Sequence, residues 1–229
     1  MNYFPPLRRG VHRESFCVVL CILGASAVSQ GFLREMVPLY LALVHYPVLN
    51  RKSEIIASAF TNLDLHDMAR TARTYEVPAC YIVTPLQDQQ MLIKRLLDHW
   101  SEGAGKELHP DRQDALKRLK TADDIAGVKE DIRAECGEYP LVWATTATDR
   151  SKNLAHRQAR RLLVNAQRPY LLLFGTAWGL APAVLEDADA VLGPIKGRGD
   201  YNHLSVRCAA AILVDRLLHM DNRKTKCGS

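Results

Sequence analysis

Tyr170–Leu180, YLLLFGTAWGL, and Ala190–Leu218, AVLGPIKGRGDYNHLSVRCAAAILVDRLL, decide the fold. Leu171–Phe174 and Ala190–Ile195 are apolar runs of buried-strand length, and each leads into glycines, Gly175 with Gly179 and Gly197 with Gly199. Glycine at a strand end lets a ligand or another backbone approach closely, so two such loops side by side make a pocket. After the second loop, Leu204, Ala209, Ile212, Leu213, Leu217 and Leu218 recur at roughly helical spacing, with Asn202 placed to cap the helix.

Upstream, Leu39–Tyr46 (LYLALVHY) is a continuous apolar run, the pattern of a parallel strand covered on both faces. Asp64 to Tyr75 carries Leu65, Met68, Ala69 and Ala72 at helical spacing, with Asp64 as N-cap. Ala79–Val83 reads as the next strand, and Gln87–Trp100 as a helix stopped by Gly103 and Gly105. Asp111–Leu119 and Asp123–Ala134 read as helices, Leu141–Ala147 as a strand, and Asn153–Asn165 as a helix. Strands alternating with helices, without hairpin signals, imply an α/β fold: a parallel sheet with right-handed crossovers and helices on both faces.

The 229 residues are 48% hydrophobic and 24% charged, ordinary globular composition, and the formal net charge of +5 is a mild pointer to a polyanionic partner. The six cysteines, at 17, 21, 80, 136, 208 and 227, form no CxxC pair or Cys/His cluster of zinc spacing, which argues against a metal site. Cys80 and Cys208 fall in apolar strand-like and helix-like contexts, as reduced intracellular thiols do.

Residues 1–35 stand apart. Arg8, Arg9 and Arg13 precede the apolar run Phe16–Leu23 and the small residues Ala25-Ser26-Ala27, an arrangement that imitates a secretory signal. The run is too short to span a bilayer, and the remainder reads as a cytoplasmic protein. We expect a non-homologous, disordered or mis-started extension over 1–35, a domain over 36–220 and a tail over 221–229.

GTAWGL, PIKGRGDYNHLSVR and AAAILVDRLL resemble the cofactor loops of the SPOUT RNA methyltransferases, within them a small bacterial family found alone or fused to a tRNA guanine-N1 methyltransferase. The resemblance runs from about Val37 to Leu218. It implies a C-terminal deep trefoil knot and a pocket for S-adenosylmethionine. Carried over by position, Phe174, Gly175, Gly179 and Leu180 of the first loop would hold the cofactor, with Ile195, Gly197, Asp200, Asn202 and Leu204 of the second. The family more often has glycine at Ala177 and serine at Cys208.

TNLDLHDMARTARTYEV, Thr61–Val77, resembles the first motif of the ribose methyltransferases, in which an asparagine at a helix start is followed by arginine in an Arg-Thr-Ala context. Arg70-Thr71-Ala72 matches that context, Asp64 stands at the asparagine position, and Glu76 replaces a common glycine as a C-cap variation. Arg70 would hold an RNA phosphate or lower the pKa of a ribose hydroxyl, with His66 one turn away as a possible companion. His66 also reads as an ordinary solvated or capping histidine.

Arg157, Arg160, Arg161 and Arg168 form the densest basic patch, while Lys196, Arg198 and Arg207 flank the second loop; Arg157, Arg160, Arg161 and Arg198 are the candidate RNA contacts. The resemblance implies a cytoplasmic, homodimeric methyltransferase acting on tRNA or rRNA, with ribose 2′-O favoured over a base nitrogen. It would dimerise through the knot region, without metal or membrane. Two other readings are open: an unknotted nucleotide-binding protein, although no GxGxxG opens the first helix, and an inactive SPOUT-fold RNA-binding or assembly module.

Overall fold

The computed structural model describes residues 38–102 and 110–219. The expected N-terminal extension, the glycine stop at 103 and 105 and the tail at 221–229 lie outside the described residues.

Six parallel strands form one sheet in the order β5-β4-β1-β7-β6-β8. They are β1 (Leu39–Val44), β4 (Cys80–Val83), β5 (Leu119–Ala122), β6 (Leu141–Thr145), β7 (Tyr170–Gly175) and β8 (Ala190–Leu192). Every residue of β1 is buried because both faces are covered. Leu39, Leu41 and Leu43 face α1 (Asn62–Thr74), α2 (Gln87–Glu102), α3 (Pro110–Leu116), α5 (His156–Val164) and α7 (Val206–Leu218). Tyr40, Ala42 and Val44 face α4 (Ile125–Cys136) and α6 (Pro182–Asp187).

In α1 the expected stripe Leu65, Met68, Ala69 and Ala72 is buried, and full burial of Leu65 or Met68 contributes about 1.5–3 kcal/mol. The cap is Thr61, not Asp64. Thr61 Oγ1 accepts from the Asp64 N–H at 3.2 Å and donates to Asp64 Oδ2 at 2.6 Å, so Asp64 sits in the first turn. Glu76, with φ +53, takes the left-handed position after the helix that glycine usually fills. At α7 the cap is Ser205, whose Oγ accepts from the Cys208 N–H; Asn202 and Leu204 precede the helix.

Other boundaries also move. The strand expected over Ala190–Ile195 ends at Leu192, and the helix expected from Asn153 begins at His156. Leu119 belongs to β5 instead of a helix, and β5 escapes periodicity because as an edge strand it buries only Leu119 fully. The small antiparallel pair β2 (Val48–Leu49) and β3 (Ile55–Ile56) runs against the expectation of no hairpin. Its turn is held by Asn50 Oδ1, which accepts from the Lys52 and Glu54 N–H groups.

Candidate functional site

Because the six strands run parallel, the loops after β1, β6, β7 and β8 all leave the same edge of the sheet, the usual ligand side of an open α/β fold. The two glycine-bearing loops do not follow neighbouring strands. β6 lies between β7 and β8, so its own loop, 146–155, stands between them. Sequence reading missed that third loop, whose only signal is the polar run Thr145-Thr146 to Asp149 directly after an apolar strand.

The loop after β7 is a tight turn in which the Gly179 N–H donates to the Thr176 carbonyl at 2.9 Å. Gly179 has φ +103, where glycine is at ease, and Ala177 has φ +50, which costs an alanine about 1 kcal/mol. The turn lies along β2: the Leu49 N–H donates to Gly179 O at 2.9 Å and the Trp178 N–H to Leu49 O at 3.0 Å. A Cβ at Gly175 would stand 2.5 Å from the Leu180 nitrogen. Glycine is therefore demanded there by the loop's own return path.

Gly197 and Gly199 differ. A Cβ on either would meet nothing within 4 Å, and neither has a left-handed backbone. Neither packing nor conformation of this chain requires glycine at those places, which leaves bare backbone open to a ligand. Asn202 Nδ2 donates to Ala147 O at 2.8 Å and Lys196 pairs with Asp149, so the loops after β6 and β8 clasp one another. At the root of the β8 loop, the His156 Nε2–H donates to Gly193 O at 2.7 Å, and Arg216 donates to His156 Nδ1 at 3.0 Å.

Phe174 and Leu180 are buried, so their side chains belong to the core and only their backbone can meet a ligand. Ile195 is half-buried, Asp200 and Leu204 are exposed, and Trp178 and Tyr201 stand out as exposed aromatics. An adenosyl group needs apolar cover, backbone donors and acceptors, and a polar side chain for its ribose. The backbone at Gly197 and Gly199, with Ile195, Leu204 and Asp200 beside it, fits that list.

Of the α1 candidates Asp64, His66 and Arg70, the structure engages Asp64 elsewhere and leaves Arg70 one turn from His66. Asp64, nearly buried, has its Oδ1 3.1 Å from Arg207 Nη1, and Arg207 Nε lies 3.1 Å from Asp67. Arg207 of α7, not Arg70, is thus the guanidinium beside Asp64. Arg70 is exposed, with no ion pair among the described residues. His66 packs edge-on against Trp100 at 5.6 Å between ring centres, and Arg112 lies over the same indole at 4.7 Å. Burial first, then the Arg112 and Arg70 charges, hold the His66 pKa below the usual histidine range.

In the basic patch Arg157 and Arg161 are exposed on α5. Arg160 donates instead to the His219 carbonyl and Arg168 to that of Tyr139, which engages both in the fold. Arg198 is exposed on the β8 loop. Cys208 is exposed too, contrary to its apolar sequence context.

A groove of about 340 Å³ lies between α2 and edge strand β5, lined by residues such as Met91, Leu97 and Lys120, none from the glycine-bearing loops. Among the described residues no group of three His, Cys, Asp or Glu is placed to hold a metal ion, and no helix is long and apolar enough to cross a membrane.

Residues 38–219 match the model of a family described as SAM-dependent RNA methyltransferase. Over 180 residues, 79% of this chain, the sequence is 47% identical to a tRNA (guanine-N(1)-)-methyltransferase of Nitratidesulfovibrio vulgaris; the match spans 42% of that protein's length. It is 38% identical over 178 residues to an uncharacterized protein of Aquifex aeolicus, spanning 78% of this chain and 87% of that one. In fold it resembles the SpoU methyltransferase AviRb from Streptomyces viridochromogenes, with a TM-score of 0.51 at 12% identity over 79% of this chain and 58% of that one.

Proposed function

We infer that this chain, which belongs to the S-adenosylmethionine-dependent RNA methyltransferase family, methylates tRNA or rRNA at a ribose 2′-oxygen. The observation that carries the reading is the gathering at one sheet edge of the β6, β7 and β8 loops, with the first turns of α1 and α7 tied together by Asp64 and Arg207.

S-adenosylmethionine, held by the loops after β7 and β8, would supply an activated methyl group to the acceptor oxygen. The chain's task is to orient the acceptor, exclude water and help the hydroxyl lose its proton. Backbone at Gly175, Gly179, Gly197 and Gly199 would hold the cofactor, with Asp200 and Asn202 as the polar side chains beside it. In this reading the chain after Leu192 is tucked through the β7 loop before α7 packs on α1 and α5, the family's trefoil.

Arg70, which has no ion pair among the described residues, carries a guanidinium suited to an RNA phosphate and to a hydroxyl developing negative charge. His66, one turn from Arg70 and with its pKa lowered by burial and by the Arg112 and Arg70 charges, is the companion of Arg70 at that face. Asp64 has its oxygens occupied by Thr61 and Arg207, so its part is to hold α7 against α1. Arg157, Arg161 and Arg198 track phosphates. A homodimer through the knot region, acting in the cytoplasm, completes the reading.

A guanine nitrogen is the second reading, favoured by the likeness to the tRNA (guanine-N(1)-)-methyltransferase of Nitratidesulfovibrio vulgaris. Nucleoside mass spectrometry of RNA from a deletion strain decides between them. Loss of one 2′-O-methyl nucleoside is expected, loss of 1-methylguanosine would move the acceptor to the base, and an unchanged profile would refute both.

A further inference from the structure

His45, the first residue after β1, is 1% exposed at the sheet edge from which the loops emerge. Its Nδ1 lies 2.9 Å from Ser58 Oγ, Ser58 Oγ lies 2.5 Å from Thr176 Oγ1, and Thr176 Oγ1 lies 3.0 Å from the Val44 carbonyl. The backbone holds the same parts together: the Ser58 N–H donates to His45 O at 2.8 Å, and the His45 N–H to Val83 O at 2.8 Å. Four polar groups thus run in a line from a buried imidazole to the residue that opens the β7 turn.

The protons in that line have one fully satisfied arrangement. Thr176 donates to the Val44 carbonyl, Nδ1–H of His45 donates to Ser58, and Ser58 donates to Thr176 at 2.5 Å in preference to its other acceptor, the His45 carbonyl at 3.5 Å. Reversed, the line would place the imidazole proton on Nε2, which is buried without a hydrogen-bond partner. An orphaned buried N–H is costlier and rarer than an unfilled lone pair, so the first direction holds. It requires a neutral ring protonated on Nδ1. Burial accordingly pushes the His45 pKa down to about 4, against a smaller upward pull from the Asp64 charge.

We propose that His45 is a positioning residue for the cofactor loop, acting through Ser58 on Thr176 to hold the turn that carries Gly179. The inference rests on the reading of that loop as a cofactor loop. The turn needs such an anchor because Ala177 sits in a conformation that alanine disfavours, so local preference alone does not maintain it. Thr176 is where the hold acts, since its carbonyl closes the turn by accepting from Gly179.

The test combines a spectroscopic and a binding measurement on the full chain. Long-range proton–nitrogen NMR at neutral pH should show His45 protonated on Nδ1 only; a ring protonated on Nε2 overturns the proposal. Calorimetric titration with S-adenosylmethionine should then find Ser58→Ala and His45→Phe weakened about tenfold. His45→Asn, whose amide N–H replaces Nδ1–H, should stay within about threefold of the parent. If the parent binds and Ser58→Ala and His45→Phe bind equally well, His45 has no positioning role although the cofactor site stands. If the parent does not bind S-adenosylmethionine, the cofactor-loop reading itself fails and takes this one with it. Should His45→Phe not fold, Ser58→Ala alone decides.

Discussion

Arg207 Nη1 lies 3.1 Å from Asp64 Oδ1, joining the first turn of α7 to the first turn of α1 across 143 positions of sequence. A cation in the first turn of a helix opposes the helix dipole, and here two carboxylates, Asp64 and Asp67, compensate it. Removing Arg207 leaves a nearly buried carboxylate unpaired. Arg207→Ala should therefore cost about 2 kcal/mol, less than for a fully buried pair because the arginine is partly solvated. The double variant Asp64→Ala/Arg207→Ala should recover part of that loss in urea unfolding.

Ala177 and Gly175 test the β7 turn from opposite sides. Ala177→Gly relieves a left-handed alanine and should stabilise the protein by about 0.5–1 kcal/mol, read as a raised melting temperature. Gly175→Ala brings a methyl to 2.5 Å from the Leu180 nitrogen and must displace the turn. S-adenosylmethionine binding should be lost in that variant, read by calorimetry, because the loop's own backbone is forced aside.

Arg70→Ala should abolish methyl transfer to RNA while leaving cofactor affinity nearly intact. Since Arg70 is exposed and has no ion pair among the described residues, unfolding free energy should change by less than about 0.5 kcal/mol. Full activity in the variant would remove Arg70 from the mechanism.

Acid should weaken the fold in a defined window. With His45 held near a pKa of about 4 when folded, the unfolded chain takes up a proton below about pH 6.5 that the native ring refuses. Stability is then full above that point and falls by about 3 kcal/mol as pH drops from 6.5 to 4. His66 moves in the same direction, so His45→Asn should flatten the denaturation-versus-pH curve without levelling it.

Much of the architecture was legible because two-sided burial and helical stripes leave direct marks. LYLALV and YLLLFG could be little else than central parallel strands, and Leu65, Met68, Ala69 and Ala72 all point inward as spaced. β5 was hidden because an edge strand needs apolar residues on fewer faces, and β2 with β3 because two residues make no period. Thr61 and Ser205 are ordinary capping residues, but Asp64 and Asn202 nearby are capping types too, and residue type alone does not choose between them. The Asp64–Arg207 contact and the His45–Ser58–Thr176 line join distant segments by side-chain geometry, and no spacing rule encodes that.

The glycines of the two loops offer an experimental handle. Substitution at 175 damages folding and recognition together, whereas alanine at 197 or 199 would project into empty surroundings and, by stiffening the unfolded chain, leave the fold as strong or slightly stronger. Those two positions therefore uncouple the molecule's two tasks. Any loss of affinity caused by a single methyl there would report contact with whatever occupies the cleft, making the β8 loop a ruler for ligand proximity that needs no correction for stability.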